Sequence, residues 1–181
     1  MTLPPLLLDW NMPDHRILGI TGWKNSGKTT LTEKLVAALV ANGYRTATIK
    51  HAHHAFDIDH EGRDSFRHRA AGASEVAVVS SKRWALIHEL DNEAEPPLDA
   101  VLARLSPCDL VIIEGYKREG HDKIEVRRSG AGESTPIAAS DPSIIAMATD
   151  MPDRETKLPQ FALDDIKAIV RFVMQRYPLE K

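Results

Sequence analysis

The sequence is short of the features that mark several large protein classes. It carries one cysteine, Cys108, in 181 residues, so no intrachain disulfide can form and a disulfide-stapled secreted scaffold is excluded. That usage fits a reducing compartment. Cys108 stands just before an apolar run, and nothing among its neighbours argues for a lowered pKa, so it reads as a buried structural thiol rather than a nucleophile. Neither charge dominates: 23 Lys and Arg against 26 Asp and Glu leave a net charge of -3. The basic footprint of a nucleic-acid binder is therefore missing, and Lys82-Arg83 and Arg127-Arg128 read as solvated surface pairs. No apolar run approaches the roughly 20 residues that cross a bilayer. Leu6-Leu7-Leu8 follows Pro4-Pro5 with no preceding cation, which is wrong for a signal peptide. A cytoplasmic protein with neither nucleic acid nor membrane as partner is expected.

What is present is an ordinary globular balance, 43% hydrophobic and 27% charged residues, which argues against disorder and for one domain. Residues 1–15 read as an irregular lead-in and 16–181 as a single domain. Arg16 to Thr21 is a short apolar run ending in glycine-rich sequence, the pattern of a buried strand. From Lys28, Leu31, Leu35, Leu39 and Val40 recur at helical spacing until Asn42-Gly43 stops them. Arg45 to Lys50 follows as a second strand. The unit has the length of a βαβ crossover, so parallel pairing of its two strands is expected. A helix over 63–71 ends at Gly72. Glu75 to Ser80 and Trp84 to Glu89 read as strands joined tightly by Ser81-Lys82-Arg83. Leu98, Val101, Leu102 and Leu105 form one stripe of a further helix. Asp109 to Glu114 is the most hydrophobic strand and suits the centre of a sheet covered on both faces. Lys123 to Arg128 reads as an outer strand, followed by a Gly/Ser-rich loop through Ser134. Ser143 to Thr149 reads as the last core strand. Ile166, Ile169, Val170 and Val173 share a face of the final helix. Together these elements predict a three-layer α/β fold with a mainly parallel central sheet.

The chemistry concentrates at Gly22-Trp23-Lys24-Asn25-Ser26-Gly27-Lys28-Thr29, which satisfies the P-loop pattern between a strand and a helix. Gly22 and Gly27 let the backbone wrap an anion without Cβ clashes. The successive N–H groups of Asn25, Ser26 and Gly27, with the positive end of the following helix, cradle phosphates. Lys28 reaches the β- and γ-phosphates, the Thr29 hydroxyl holds Mg²⁺, and Thr30 sits near the α-phosphate. Lys24 reads as an exposed loop lysine.

Ligands of open α/β sheets sit at the carboxyl ends of the strands. Glu114, at such an end and followed by Gly115, is the candidate to coordinate metal or position water, with Lys28 as its partner in catalysis. In the loop 51–60, Asp57, Asp59 and Asp64 are each placed to reach the metal, with Asp59 preferred. The cluster His51, His53, His54 and His60 could instead bind a transition metal, since imidazole suits such ions, but a substrate-phosphate or partner contact is the expected use of this loop. No Cys-x-x-Cys or His-x-x-x-His spacing supports a closed zinc site. Arg63, Arg67 and Arg69 read as an exposed cationic helix face, so no arginine finger is evident in cis and turnover is expected to be slow.

Taken in order, Thr21-Gly-Trp-Lys-Asn-Ser-Gly-Lys-Thr-Thr-Leu31, Ile49-Lys-His-Ala-His-His54, Asp57-Ile-Asp59, Arg69-Ala-Ala-Gly-Ala73 and Val111-Ile-Ile-Glu-Gly-Tyr-Lys117 resemble the molybdopterin-guanine dinucleotide biosynthesis adapter family of P-loop GTPases. The resemblance runs from about Ile17 to Ala148. It implies a P-loop NTPase fold and a GTP- and Mg²⁺-binding homodimer with weak GTPase activity. It also implies an accessory role beside the molybdenum cofactor guanylyltransferase, which joins GMP to molybdopterin, with molybdopterin and molybdoenzyme-maturation proteins as further partners. Family function carries over to Gly22, Gly27, Lys28, Thr29, Thr30 and Glu114. Two departures stand out. The Asn-Lys-x-Asp signature that reads guanine is absent, leaving Ala148-Thr149-Asp150 as either a base-contact loop or a turn. Trp23 occupies the position where related metallocentre GTPases often carry lysine. The alternatives are an ATP-dependent small-molecule kinase, with Lys117-Arg118 and Arg127-Arg128 as its lid cations, and a nucleotide-dependent metallochaperone.

Overall fold

The computed structural model describes residues 15–52, 56–131 and 135–179. Most of the expected lead-in, His53-His54 and the end of the Gly/Ser-rich stretch lie outside the described residues. The chain runs β1 (Ile17–Thr21), α1 (Lys28–Ala41), β2 (Thr46–Lys50), α2 (Asp64–Ala70), β3 (Glu75–Val79), β4 (Trp84–His88), α3 (Leu98–Leu102), β5 (Leu110–Glu114), β6 (Lys123–Arg127), a 3-10 turn at Ile137–Ala139, β7 (Ile144–Thr149), β8 (Gln160–Phe161) and α4 (Ile166–Arg176). It divides into two compact units, one formed by the chain up to His51 and again from Ala103, the other by Ala52–Leu102.

The larger unit is a six-stranded sheet in the order β2-β5-β1-β6-β7-β8, with every neighbouring pair parallel. Leu110, Val111, Ile112 and Ile113 are all fully buried. A strand apolar on both faces needs a neighbour on each edge as well as cover above and below. β5 accordingly sits between β1 and β2, pairing Ile17 with Val111 and Thr46 with Leu110. The crossover through α1 therefore skips one position, and the expected direct pairing of β1 with β2 does not form. On one face, Leu31, Leu35 and Leu39 of α1 and Ile169, Val170 and Val173 of α4 close a single core over Leu18, Ile20, Ile112, Ile124, Val126 and Ala148. Val40, expected on that stripe, is 54% exposed: one residue past Leu39 is a turn of about 100° off the buried side. Asn42 ends α1 and Gly43 follows at φ 89°, as the stop signal predicts.

β6 is not the outer strand its charges suggest. It lies between β1 and β7, and Lys123 and Glu125 are both fully buried. By strand alternation they point away from the face carrying Ile124 and Val126. Each is satisfied there. The Lys123 ammonium donates to the Glu119 carbonyl, to Ser143 Oγ and, at 3.2 Å, to Asp141 Oδ2. The Glu125 carboxylate accepts the N–H groups of Ile137 and Ala138 at 2.8 and 2.9 Å. The far edge is β8, two residues that carry no readable period. The end of α4 is tied back to the sheet, with the Tyr177 hydroxyl 3.0 Å from Ile17 O and 2.9 Å from Asp122 Oδ2.

In the smaller unit β3 and β4 pair antiparallel, Glu75 with His88 through Val79 with Trp84, across the expected tight connection. One face of this hairpin leaves Val79, Trp84 and Leu86 exposed. Arg69 of α2 gathers three carboxylates, Glu89 at 2.7 Å, Asp57 at 3.0 Å and Asp59 at 3.5 Å. α3 is shorter than its apolar stripe, with Leu98 and Leu102 buried and Leu105 beyond its end. No helix among the described residues is long and apolar enough to cross a membrane.

Candidate functional site

β1 delivers the chain to Gly22 at the carboxyl edge of the sheet, and the next residues turn without regular structure into α1. Two glycines are required there. A Cβ on Gly22 would stand 2.4 Å from the Val126 carbonyl oxygen and 2.6 Å from Ser26 Oγ. Gly27, the N-cap of α1, is left-handed at φ 100°, a conformation costly for residues with a Cβ. Asn25 also adopts a positive φ, 64°, an unusual value that clusters at functional sites. Among the described residues no side chain caps the N-terminus of α1 and no acidic residue stands in its first turn, so the positive end of the helix dipole is not offset from within the loop. The Ser26 hydroxyl is buried and has no hydrogen-bond partner. A strand, a glycine-bounded turn and an uncapped helix thus converge at the carboxyl edge of the sheet.

Lys28 and Thr29 open α1. The Lys28 ammonium donates to the Trp23 carbonyl at 2.7 Å, across the loop. Its pKa is lowered, first by burial and then by the field of Lys117; Glu114 opposes the shift and Lys50 adds to it. Thr29 Oγ1 donates to Glu114 Oε1 at 2.9 Å, so two expected metal ligands that are far apart in sequence meet at the strand edge. Glu114 ends β5 directly opposite Lys50 of β2. Gly115, at φ 105°, lets the chain pass His51, whose Cβ would be 2.8 Å from an added Cβ. Thr30 is exposed on the first turn of α1.

Other expected residues are engaged elsewhere. Asp59 belongs to the smaller unit. There Oδ1 accepts from Ser65 Oγ and the His60 N–H, each at 3.0 Å, and Arg69 Nε lies 3.5 Å from Oδ2. Among the described residues no group of three or more His, Cys, Asp or Glu is arranged to hold a metal ion; His53 and His54 are not among them. Asp150 spends both oxygens on Ser129, at 2.7 Å to its N–H and 2.7 Å to its hydroxyl; those bonds hold its carboxyl below the usual range. The Asp150 side chain is thus a turn anchor in this structure. Beside it, an open cavity of about 380 Å³ is lined by Arg127, Met151, Pro152, Asp153, Arg154 and Glu155. Cys108 is half-buried, and burial pushes its thiol up and away from reactivity. Lys24 is exposed.

Lys50 was missed in the sequence, and Trp23 and Lys117, read there as a departure from the family pattern and as a lid cation, meet at the phosphate loop. Trp23 is fastened by its indole N–H to the Thr135 carbonyl at 2.8 Å. Lys117 rests its ammonium 4.5 Å from the centroid of that indole, and Lys50 joins it through the electrostatics of Lys28. The placement of Lys117 directly after Glu114-Gly115-Tyr116 was the available signal, because a glycine after a strand-end carboxylate marks a chain reversal.

Comparison with known proteins identifies the family of the chain. The family described as molybdopterin guanine dinucleotide synthesis protein B matches residues 17–150. The molybdopterin-guanine dinucleotide biosynthesis adapter protein of Escherichia coli K12 is 38% identical over 161 residues, 88% of this chain and 91% of that protein. The protein of the same name from Haemophilus influenzae is 38% identical over 153 residues, 81% and 85% of the two chains. A MobB homolog structure from Bacillus stearothermophilus superposes with a TM-score of 0.67 at 31% identity, covering 89% of this chain and 97% of its own. Bacillus subtilis MobB gives 0.73 at 25% identity, covering 91% and 99%. The larger unit, a mostly parallel six-stranded sheet with flanking helices, is the P-loop NTPase-like α/β fold of those structures. By profile, identity and fold, the chain belongs to the molybdopterin guanine dinucleotide synthesis protein B family.

Proposed function

We propose that the protein is an adapter in molybdopterin guanine dinucleotide formation and that it acts through GTP bound with Mg²⁺ at the loop Gly22–Thr29. The observation that carries the nucleotide part is the 2.9 Å contact of Thr29 Oγ1 with Glu114 Oε1, beside a helix N-terminus left uncapped. Backbone N–H groups from Asn25 to Gly27 hold the phosphates, Lys28 neutralises them, and Thr30 borders the α-phosphate. The hydroxyl of Thr29 and the carboxylate of Glu114 are both hard oxygen donors and fit Mg²⁺. Bound there, the ion would offset the negative charge of the phosphates. Glu114 orients the water that attacks the terminal phosphate.

Hydrolysis in this reading is slow. Arg69, the arginine most firmly held in its unit, is committed to Glu89 and Asp57, so it supplies no charge to a transition state. The adapter role implies a cytoplasmic homodimer that docks on the guanylyltransferase. Sedimentation at the mass of a single chain at micromolar concentration would remove the dimer from the proposal.

Calorimetric titration with GTP and with ATP, each with Mg²⁺, tests the nucleotide. Tighter GTP binding is expected, and Lys28→Ala is expected to abolish it. Binding retained by Lys28→Ala would remove the phosphate-loop assignment. A preference for ATP would instead support a kinase.

A further inference from the structure

Lys117 is placed with more care than a surface lysine needs. It follows Glu114 by three residues, and the two between them, Gly115 at φ 105° and Tyr116 at φ 48°, are both left-handed. A tyrosine in that region is strained, and such strain persists only where surrounding contacts over-determine it. Here the contacts are visible. The Tyr116 ring packs on the His51 ring with centroids 4.5 Å apart, and Gly115 passes against the His51 backbone. The reversal carries Lys117 back to the phosphate loop, where its ammonium sits 4.5 Å from the Trp23 ring centroid.

Trp23 is itself fixed by its indole N–H on the Thr135 carbonyl at 2.8 Å. Its own carbonyl holds Lys28 at 2.7 Å. One loop residue thus presents two ammonium groups, one on its carbonyl and one on its ring. Lys50 adds a third positive charge beside Glu114. Among the described residues no carboxylate pairs with Lys117, and a ring face is a weaker partner for an ammonium than a phosphate oxygen. Four flexible methylenes give it reach.

We propose that Lys117 is a second phosphate-pairing cation of the site, held over the Trp23 indole and directed at the terminal phosphate of a nucleoside triphosphate. This rests on the nucleotide reading above. The β-phosphate is served by the loop N–H groups and Lys28, whereas Lys117 arrives from the turn just beyond Glu114, the side that faces the γ-phosphate in a P-loop with its metal on Thr29. Pairing draws the ammonium off the indole, so Trp23 emission changes with the same ligand. The residue lets the protein tell triphosphate from diphosphate by charge.

The test titrates wild type, Lys117→Met and Lys117→Arg with GTP and with GDP, both with Mg²⁺, by calorimetry and by tryptophan emission. Lys117→Met should weaken GTP by roughly tenfold or more, as loss of a charge-assisted bond does, and GDP by far less. Lys117→Arg should recover most of the GTP affinity. The GTP-induced emission change should disappear in both Lys117→Met and Trp23→Phe. Equal losses for the two nucleotides, or none, would overturn the proposal, and Lys117→Gln gives the same reading should Lys117→Met fail to fold. A wild-type protein that binds neither nucleotide would instead bring down the nucleotide reading and this inference with it. Wild-type binding with an indifferent Lys117 brings down this inference alone.

Discussion

At the scale of single residues, the site is governed by where charge is left uncompensated. Lys28 is the clearest case: burial, the Lys117 field and Lys50 all disfavour its charged form, and Glu114 alone opposes them. A phosphate group reverses that balance, which is why the lysine was readable from the P-loop pattern and its electrostatic neighbours were not. Lys50 and Lys117 are distant from Lys28 in sequence and meet it only because β2 and β5 end side by side. Glu114 was legible as a carboxylate closing an apolar run, and the structure adds its partner, Thr29. Glu114→Ala should leave GTP affinity within about threefold, since the loop N–H groups and Lys28 hold the phosphates, while slowing hydrolysis by about 100-fold or more through loss of the group that orients the attacking water. Single-turnover hydrolysis at saturating GTP reads this directly, and an unchanged rate would exclude Glu114 from the chemistry. Asp150, readable as a base contact or as a turn residue, takes the turn role here, with two short bonds to Ser129 on its two oxygens.

Among elements, β6 is the most informative error. Its alternating Lys123 and Glu125 look like an outer strand because charged residues are almost never fully buried unless paired. The pairing partners are remote, from the 3-10 turn, Asp141 and Ser143, so no local pattern announces them. Glu125 in particular holds that turn by two backbone N–H groups. Glu125→Ala should leave the N–H groups of the half-buried Ile137 and Ala138 without their acceptor, at a cost of at most about 1–3 kcal/mol each, and Glu125→Gln should recover part of it. Urea unfolding midpoints measure the loss, and a midpoint equal to wild type would mean the turn stands without the carboxylate. Elements with strong periodicity were legible within a residue or two: α1 by its leucines, α4 by its apolar face, β5 by its unbroken apolar run. β8 was not, since two residues define no period, and α3 was overestimated because Leu105 continues a stripe that the backbone does not.

For the molecule as a whole, one contribution to acid sensitivity comes from a histidine at the amino edge of the sheet. Both ring nitrogens of His121 are buried without partners, and Nε2 lies 2.6 Å from where a Cβ on Gly19 would stand. Burial, followed by the nearby Lys123, lowers its pKa to about 4 from 6.5. Between those values the unfolded chain binds the proton and the folded one does not, so stability should fall as pH drops from about 6.5 toward 4. Urea midpoints of wild type and His121→Gln at pH 7 and pH 5 test this, with a shallower dependence expected in the variant. Equal slopes would assign the acid sensitivity to the carboxylates instead. What the sequence determined by itself was local: the periods that make helices and strands, the glycines that shape the phosphate loop, and the order of motifs that marks the family. Only the tertiary structure decided that β5 sits between β1 and β2, that two charged residues of β6 are buried, and that Lys117 reaches Trp23. The reason is physical: backbone periodicity and positive φ act over a few residues, whereas strand order and charge pairing depend on contacts that chain separation hides until the sheet is assembled.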